Sequence, residues 1–200
     1  MKALIIRFSS FGDIVQALSV TGPLKKYGME VHWLTKTQFS DLPEHCPFVD
    51  EVIPYDRKTG LLGLIKMGWH LAGQDYTHVY DAHHNMRTFV LKLIFGLRSR
   101  AKIILRKKER LKRFRYFYLK QKVYDFPVKG MLSYIAPLKK WNVPTYGPFH
   151  QKWSFSSDLR QHVKRFLPEG EFVVFAPGAA WPMKRWPVDH WKVLVNLYPG

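Results

Sequence analysis

Through the first hundred residues, apolar runs of strand length alternate with segments of helical period, and this alternation limits the fold more than any other feature. Lys2 to Phe8 is a continuous apolar run suited to a buried strand. Ser9-Ser10-Phe11-Gly12 then leads into a helical pattern from Asp13 to Lys26. Val31 to Thr35 and Glu51 to Tyr55 read as the second and third strands. Leu61, Leu62, Ile65, Trp69 and Ala72 recur at helical spacing. Thr77 to Asp81 reads as a fourth strand, Met86 to Leu97 as a helix and Ala101 to Leu105 as a short strand. Strands separated by helix-length segments imply a parallel sheet covered by helices on both faces, a Rossmann-like α/β domain.

From Lys139 to Trp153 the texture changes to a connector interrupted by Pro144, Gly147 and Pro148. The expected boundary lies at 150/151. Beyond it Asp158 to Leu167 is helical, with Ser156 or Ser157 as N-cap. Glu171 to Ala176 reads as a strand ending in Pro177-Gly178, and Val188 to Leu197 as a further helix. One βα unit cannot close a sheet, so residues 151–200 are expected to be the incomplete start of a second domain.

Composition removes several classes. With 46% hydrophobic and 16% aromatic residues the chain can bury a core, which excludes wholesale disorder. A single cysteine, Cys46, cannot staple the chain to itself. No apolar run is long enough to span a bilayer, and Lys2 and Arg7 come too early for a signal-peptide core. The expectation is a soluble, cytoplasmic protein. Its formal charge is +17, and the excess is local. Twelve Lys and Arg lie between Arg98 and Lys122 against one acid, Glu109, so these 25 residues carry eleven of the net charges. A local basic patch implies a local anionic partner.

Ligands of open parallel sheets sit outside the C-terminal strand ends, and three segments fall there. Ser9 to Gln16 places small residues, a glycine and Asp13 at the first strand-to-helix turn. Asp13 is either a first-turn acid complementing the helix dipole or a general base in the crevice. A helix N-terminus favours the carboxylate, so such a base relies on placement more than on a raised pKa. Phe175 to Pro187 runs from a strand into a small-residue turn (Gly178, Ala179, Ala180), then Lys184-Arg185 and Trp186-Pro187. Its backbone amides could face phosphate oxygens with Lys184 as a point charge, although P-loop spacing is absent. Asp81 to Thr88 holds adjacent His83 and His84 without further ligands at metal spacing, and reads as crevice lining. Within the basic stretch Leu111, Phe114, Phe117 and Tyr118 share one side of a basic amphipathic helix, a form suited to membrane surfaces.

Residues 5–18, from Ile5-Ile6-Arg7 through Gly12-Asp13-Ile14 to Leu18, resemble the N-terminal signature of the heptosyltransferase family of lipopolysaccharide core glycosyltransferases. Gly178-Ala179-Ala180 through Lys184-Arg185-Trp186-Pro187 resembles that family's nucleotide-binding turn, and Asp81 with Asn85-x-Arg87-Thr88 its segment after strand four. The resemblance runs in order over all 200 residues. It implies the GT-B type: a Rossmann-like acceptor-binding domain (1–150) and the incomplete start of a second Rossmann-like, nucleotide-sugar-binding domain (151–200). It places the catalytic base on Asp13 and donor binding on Gly178, Ala179, Ala180 and Lys184. Acceptor binding falls on Ser9, Ser10, Gly12, Asn85 and Arg87, with Arg110, Arg113 and Arg115 holding an anionic lipid acceptor. Family members often carry hydroxyl side chains in the second turn, where this chain has Ala179 and Ala180.

The implied activity is inverting transfer of heptose from ADP-heptose to the lipopolysaccharide inner core. Neither metal nor other cofactor is implied. The implied location is peripheral on the inner face of the cytoplasmic membrane. A different nucleotide sugar on the same scaffold is the nearest alternative. A basic nucleic-acid-binding protein is the alternative of another class, although no RNP, KH, zinc-finger or helix-turn-helix signature is present.

Overall fold

The computed structural model describes residues 1–107, 110–123, 130–145, 152–179 and 181–198. The chain divides into two compact units, Met1–Ser154 and Phe155–Gly200. The first is built on five parallel strands: β1 (Lys2–Ile6), β2 (Glu30–Lys36), β3 (Glu51–Tyr55), β4 (His78–Asp81) and β5 (Lys102–Leu105). Their order across the sheet is β3-β2-β1-β4-β5. Leu4 lies opposite His32 on one side and Val79 on the other, so β1 is central. The chain leaves β1 toward β2 and β3, and later returns to its other side at β4 and β5. The topological switch point therefore lies between the C-terminal ends of β1 and β4, where such sheets bind ligands.

Helices α1 (Phe11–Ala17), α2 (Thr21–Lys26), α3 (Asp41–Glu44), α4 (Gly60–Ala72), α5 (Met86–Arg98), α6 (Arg110–Phe117) and α7 (Gly130–Ile135) complete this unit. Strand side chains alternate between faces, so each face of the sheet has its own core. Ala3, Ile5, Val31, Trp33 and Tyr80 pack with Ile14, Leu24, Tyr134 and Leu138. Leu4, Ile6, Leu34 and Val79 pack with Leu64, Leu71, Leu91 and Phe95 of α4 and α5. Fully burying each Leu or Ile contributes about 1.5–3 kcal/mol.

Several expectations are corrected at their edges. The helix expected from Asp13 to Lys26 starts at Phe11 and breaks into α1, a 3-10 turn at Leu18–Val20, and α2. Pro23 explains the restart: at the third position of α2 its missing N–H is one of the donors a helix start leaves unpaired anyway. The basic stretch spans the end of α5, the expected strand β5 and the expected helix α6, and Leu111, Phe114, Phe117 and Tyr118 are all exposed. The Phe114 and Tyr118 rings stack at 5.0 Å, one helical turn apart.

The second unit holds α8 (Ser157–Lys164), capped by Ser156 Oγ accepting from the Leu159 N–H, and α9 (Val188–Asn196). No strand forms from Glu171 to Ala176. A strand needs a neighbour to pair its backbone groups, and this unit holds no other strand among the described residues. No described helix is long and apolar enough to cross a membrane.

Candidate active site

Asp13 sits in the first turn of α1, directly outside the end of β1, and its carboxylate is held from three directions. The Arg7 guanidinium meets Oδ2 at 2.6 Å. Ser10 Oγ donates to the same oxygen at 3.0 Å, and the Tyr134 hydroxyl donates to Oδ1 at 3.0 Å. Arg7 itself is buried and donates through Nη1 to the Ala82 carbonyl at 2.8 Å, so it ties the end of β1 to the end of β4. Asp13 keeps 41% of its side chain exposed. A charged carboxylate therefore faces solvent at the switch point on a rigid mount.

Its pKa follows from the same contacts. Burial alone would raise it, but the Arg7 charge and the hydrogen bonds from Tyr134 and Ser10 outweigh burial and hold the carboxyl below its usual range. Folding is thereby stabilised above the unfolded-state pKa, and that contribution is lost as pH falls through the lower folded-state value. Burial, partly offset by Arg7 and Arg106, pushes the Tyr134 hydroxyl up to about 12, so it remains a donor at neutral pH.

Tyr134 is itself anchored. Its carbonyl accepts from the Tyr80 hydroxyl of β4 at 2.8 Å. The Arg106 guanidinium lies 3.7 Å from the centre of its ring and donates through Nε to Ser133 Oγ at 3.1 Å. Gly130 opens α7 against α1, where a Cβ would stand 2.7 Å from Gln16 Oε1. Tyr134, Ser133 and Arg106 thus join the site although no sequence pattern points to them, since Tyr134 lies 121 residues from Asp13. We expect Tyr134→Phe to keep the fold, lower kcat about tenfold and move the acid limb of the pH–rate profile upward. An unmoved limb would show that the hydroxyl does not act on Asp13.

The turn after β4 is shaped by Asp81, fully buried. Its Oδ1 accepts from the His83 and His84 N–H groups at 3.1 and 2.6 Å, and its Oδ2 meets Lys92 Nζ at 3.0 Å. His84 Nδ1 lies 2.9 Å from the Arg106 carbonyl, which can only accept, so this nitrogen carries the proton. Among the described residues no group of three or more His, Cys, Asp or Glu comes together as a metal-ligand set.

Asn85 is the N-cap of α5, with Oδ1 accepting from the Thr88 N–H at 3.0 Å and Thr88 Oγ1 accepting from the Asn85 N–H at 2.9 Å. Arg87 follows in the first turn. Burial, then Arg57 and Arg87, hold the Lys36 ammonium below its usual range. These three cations gather at the end of β2, beyond β3 and at the start of α5, and none has a side-chain ion partner among the described residues. Lys36 and Arg57 are additions to the residues chosen from sequence.

Ser9 is half-buried, and Ser10 and Gly12 are exposed beside Asp13. Arg115 is exposed on α6 and donates through Nε to Gln121 Oε1 at 2.7 Å. The Arg110 and Arg113 side chains lie outside the described residues, as does Ala180. In the second unit, Arg185 Nε donates to the Ala179 carbonyl at 2.7 Å, and Lys184 ends an exposed 3-10 turn (Pro182–Lys184). Gly178 is exposed, and a Cβ there would meet nothing within 4 Å.

A Rossmann-type sheet with a mounted carboxylate at its switch point defines the class of open α/β proteins that bind ligands outside the carboxyl ends of their strands. Residues 64–199 match the family model of glycosyltransferase family 9 (heptosyltransferase), and the chain belongs to that family. It is 23% identical over 199 residues to the lipopolysaccharide core heptosyltransferase OpsX of Haemophilus influenzae, covering 96% of this chain and 55% of the relative. The solved family 9 glycosyltransferase of Veillonella parvula superposes with a TM-score of 0.75 at 18% identity, covering 98% of this chain and 59% of that one. The E. coli ADP-heptose lps heptosyltransferase II gives 0.67 at 22% identity, with 98% and 62% covered. The fold is that of GT-B glycosyltransferases, and the chain spans about three fifths of these relatives' length.

Proposed function

We propose that the protein transfers heptose from ADP-heptose to the inner core of lipopolysaccharide, with inversion and without a metal. The observation that carries this reading is the Asp13 carboxylate, exposed at the switch point and fixed by Arg7, Ser10 and Tyr134. Family membership and the heptosyltransferases it resembles supply the sugar and the acceptor.

Asp13 accepts the proton of an acceptor hydroxyl as that oxygen forms its bond to the anomeric carbon. The bond from that carbon to the ADP oxygen breaks, and its electron pair leaves with the diphosphate. Because the Asp13 pKa is low, the carboxylate is a weak base that works by position, taking a proton that becomes strongly acidic as the acceptor oxygen bonds to the anomeric carbon. Lys184, with the backbone amides of Gly178, Ala179 and Ala180, takes the charge that develops on the leaving group. Lys36, Arg57 and Arg87 receive acceptor carboxylates or phosphates, Ser9, Ser10, Gly12 and Asn85 its hydroxyls, and the α6 arginines Arg110, Arg113 and Arg115 the phosphates of a lipid acceptor in the inner leaflet.

Gly12 separates this reading from a purely structural one. Its φ is ordinary, and a Cβ would meet nothing within 4 Å. Alanine there stabilises a helix start by about 0.5–1 kcal/mol. Gly12→Ala therefore raises Tm while raising acceptor KM several-fold; an unchanged KM would remove Gly12 from the acceptor surface.

The test of the function is ADP release by the full-length protein, with ADP-heptose and a heptose-deficient lipopolysaccharide acceptor. Acceptor-dependent release is expected. Release only with another nucleotide sugar would move the assignment to that donor. Salt-sensitive binding to arbitrary oligonucleotides with no ADP binding would overturn it.

A further inference from the structure

Helices α4 and α5 cover one face of the sheet and leave a row of large apolar side chains in solvent. Leu62 and Trp69 project from α4; Met86, Phe89, Leu93 and Leu97 form a stripe along α5 at spacings of three and four residues. Leu62, Leu93 and Leu97 are 75%, 52% and 81% exposed. The two helices lie close together because residue 68 is glycine: a Cβ there would stand 2.8 Å from Ile94 Cδ1 and 2.9 Å from Leu91 Cδ2. The Arg98 guanidinium lies 5.2 Å from the Trp69 ring centre and joins the helices at their C-terminal ends. Their outer faces therefore make one surface. Single exposed apolar residues are ordinary on a soluble protein, but a contiguous row marks a contact.

Charge identifies what this surface contacts. Neither α4 nor α5 contains an Asp or Glu. From Arg57 to Lys107 the only acids are Asp75, in the turn after α4, and Asp81, buried against Lys92, while ten Lys and Arg occupy the same stretch. Lys66 is exposed on the same side of α4 as Leu62 and Trp69, and Arg98 and Arg100 are exposed at the C-terminal end of α5 and just beyond it. A second copy of this face would meet its own cations. An anionic bilayer complements both components: the apolar side chains enter the acyl boundary while the ammonium and guanidinium groups meet lipid phosphate.

We propose that the outer face of α4 and α5 docks the protein on a bilayer containing anionic phospholipid. This goes beyond the proposed function, which assigns bilayer contact to α6, and it rests on that reading only for the presence of a membrane-borne substrate.

The test is sedimentation of the full-length protein with vesicles of three parts phosphatidylethanolamine to one part phosphatidylglycerol, compared with phosphatidylcholine alone. Leu62→Gln/Leu93→Gln/Leu97→Gln keeps helix propensity at exposed positions, so the fold is retained. It is expected to weaken vesicle binding about tenfold or more, with ADP affinity and transfer to a soluble, acyl-free acceptor unchanged. Lys66→Gln/Arg98→Gln/Arg100→Gln is expected to lose the preference for anionic vesicles and most of the salt dependence. Wild-type binding by the leucine variant, with binding lost in Lys112→Gln/Arg115→Gln, would move the contact to α6 and overturn the proposal. So would failure of the wild type to bind, or conversion of a dimer to a monomer by the leucine variant with vesicle binding intact. Transfer to the soluble acceptor reports on the catalytic reading separately in every arm.

Discussion

Asp13→Asn is expected to lower kcat by about 10²–10⁴-fold while leaving ADP binding within a factor of two or so. The substitution keeps the shape of the side chain and its place in the first turn of α1, but the amide has no basic oxygen. Both Asp13 oxygens accept in the native site, from Arg7 and Ser10 on one and Tyr134 on the other. Asparagine must turn an NH2 group toward one of those donors, so the cluster loosens as well as losing its charge. Stability is expected to fall by about 1–3 kcal/mol, because the buried Arg7 loses its counter-ion, and Tm with and without ADP measures that part separately. A variant that retains near wild-type kcat would remove Asp13 from the chemistry.

Lys184→Met is the second large effect. Methionine keeps the length and apolar stem of lysine, and Lys184 is exposed at the end of its turn, so the fold should be indifferent. Losing a cation aimed at charge that grows in the transition state costs about 10²–10³-fold in kcat. Lys184→Arg should recover part of this, since it restores charge with different geometry. The neighbouring Arg185 is committed to the Ala179 carbonyl, which makes it a poor substitute. Single-turnover rates at saturating donor are the measurement. Loss of donor affinity alone, with an unchanged single-turnover rate, would make Lys184 a binding residue and no more.

How much of the fold and the site is legible in the sequence depends on the range of the interaction. The inner strands β1, β2 and β4 are largely buried and read as apolar runs, placed to within about two residues. The edge strands β3 and β5 are only partly buried, yet their short apolar runs give Glu51–Tyr55 the bounds it has in the structure and β5 to within one residue. Asp13 is legible because the first strand-to-helix turn is fixed by local pattern. Ser156 is legible as a cap for the same reason. Tyr134 and Arg106 are not. Tyr134 reaches Asp13 across 121 residues and Arg106 reaches Ser133 across 27, and side chains brought together through the fold in this way leave no period in the chain. The break between α1 and α2 is hidden by continuous helical composition, although Pro23 signals it. The strand expected from Glu171 to Ala176 shows the opposite error: local propensity is present, but strand structure needs a partner.

The stereochemistry of transfer tests the central claim most directly. With the full-length protein, ADP-heptose and a heptose-deficient acceptor, the anomeric configuration of the new glycosidic bond can be read by NMR and compared with that of the donor. A single displacement driven by Asp13 as base predicts inversion. Retention of configuration would require a different set of reacting groups and would contradict a general-base role for the Arg7–Asp13–Tyr134 cluster.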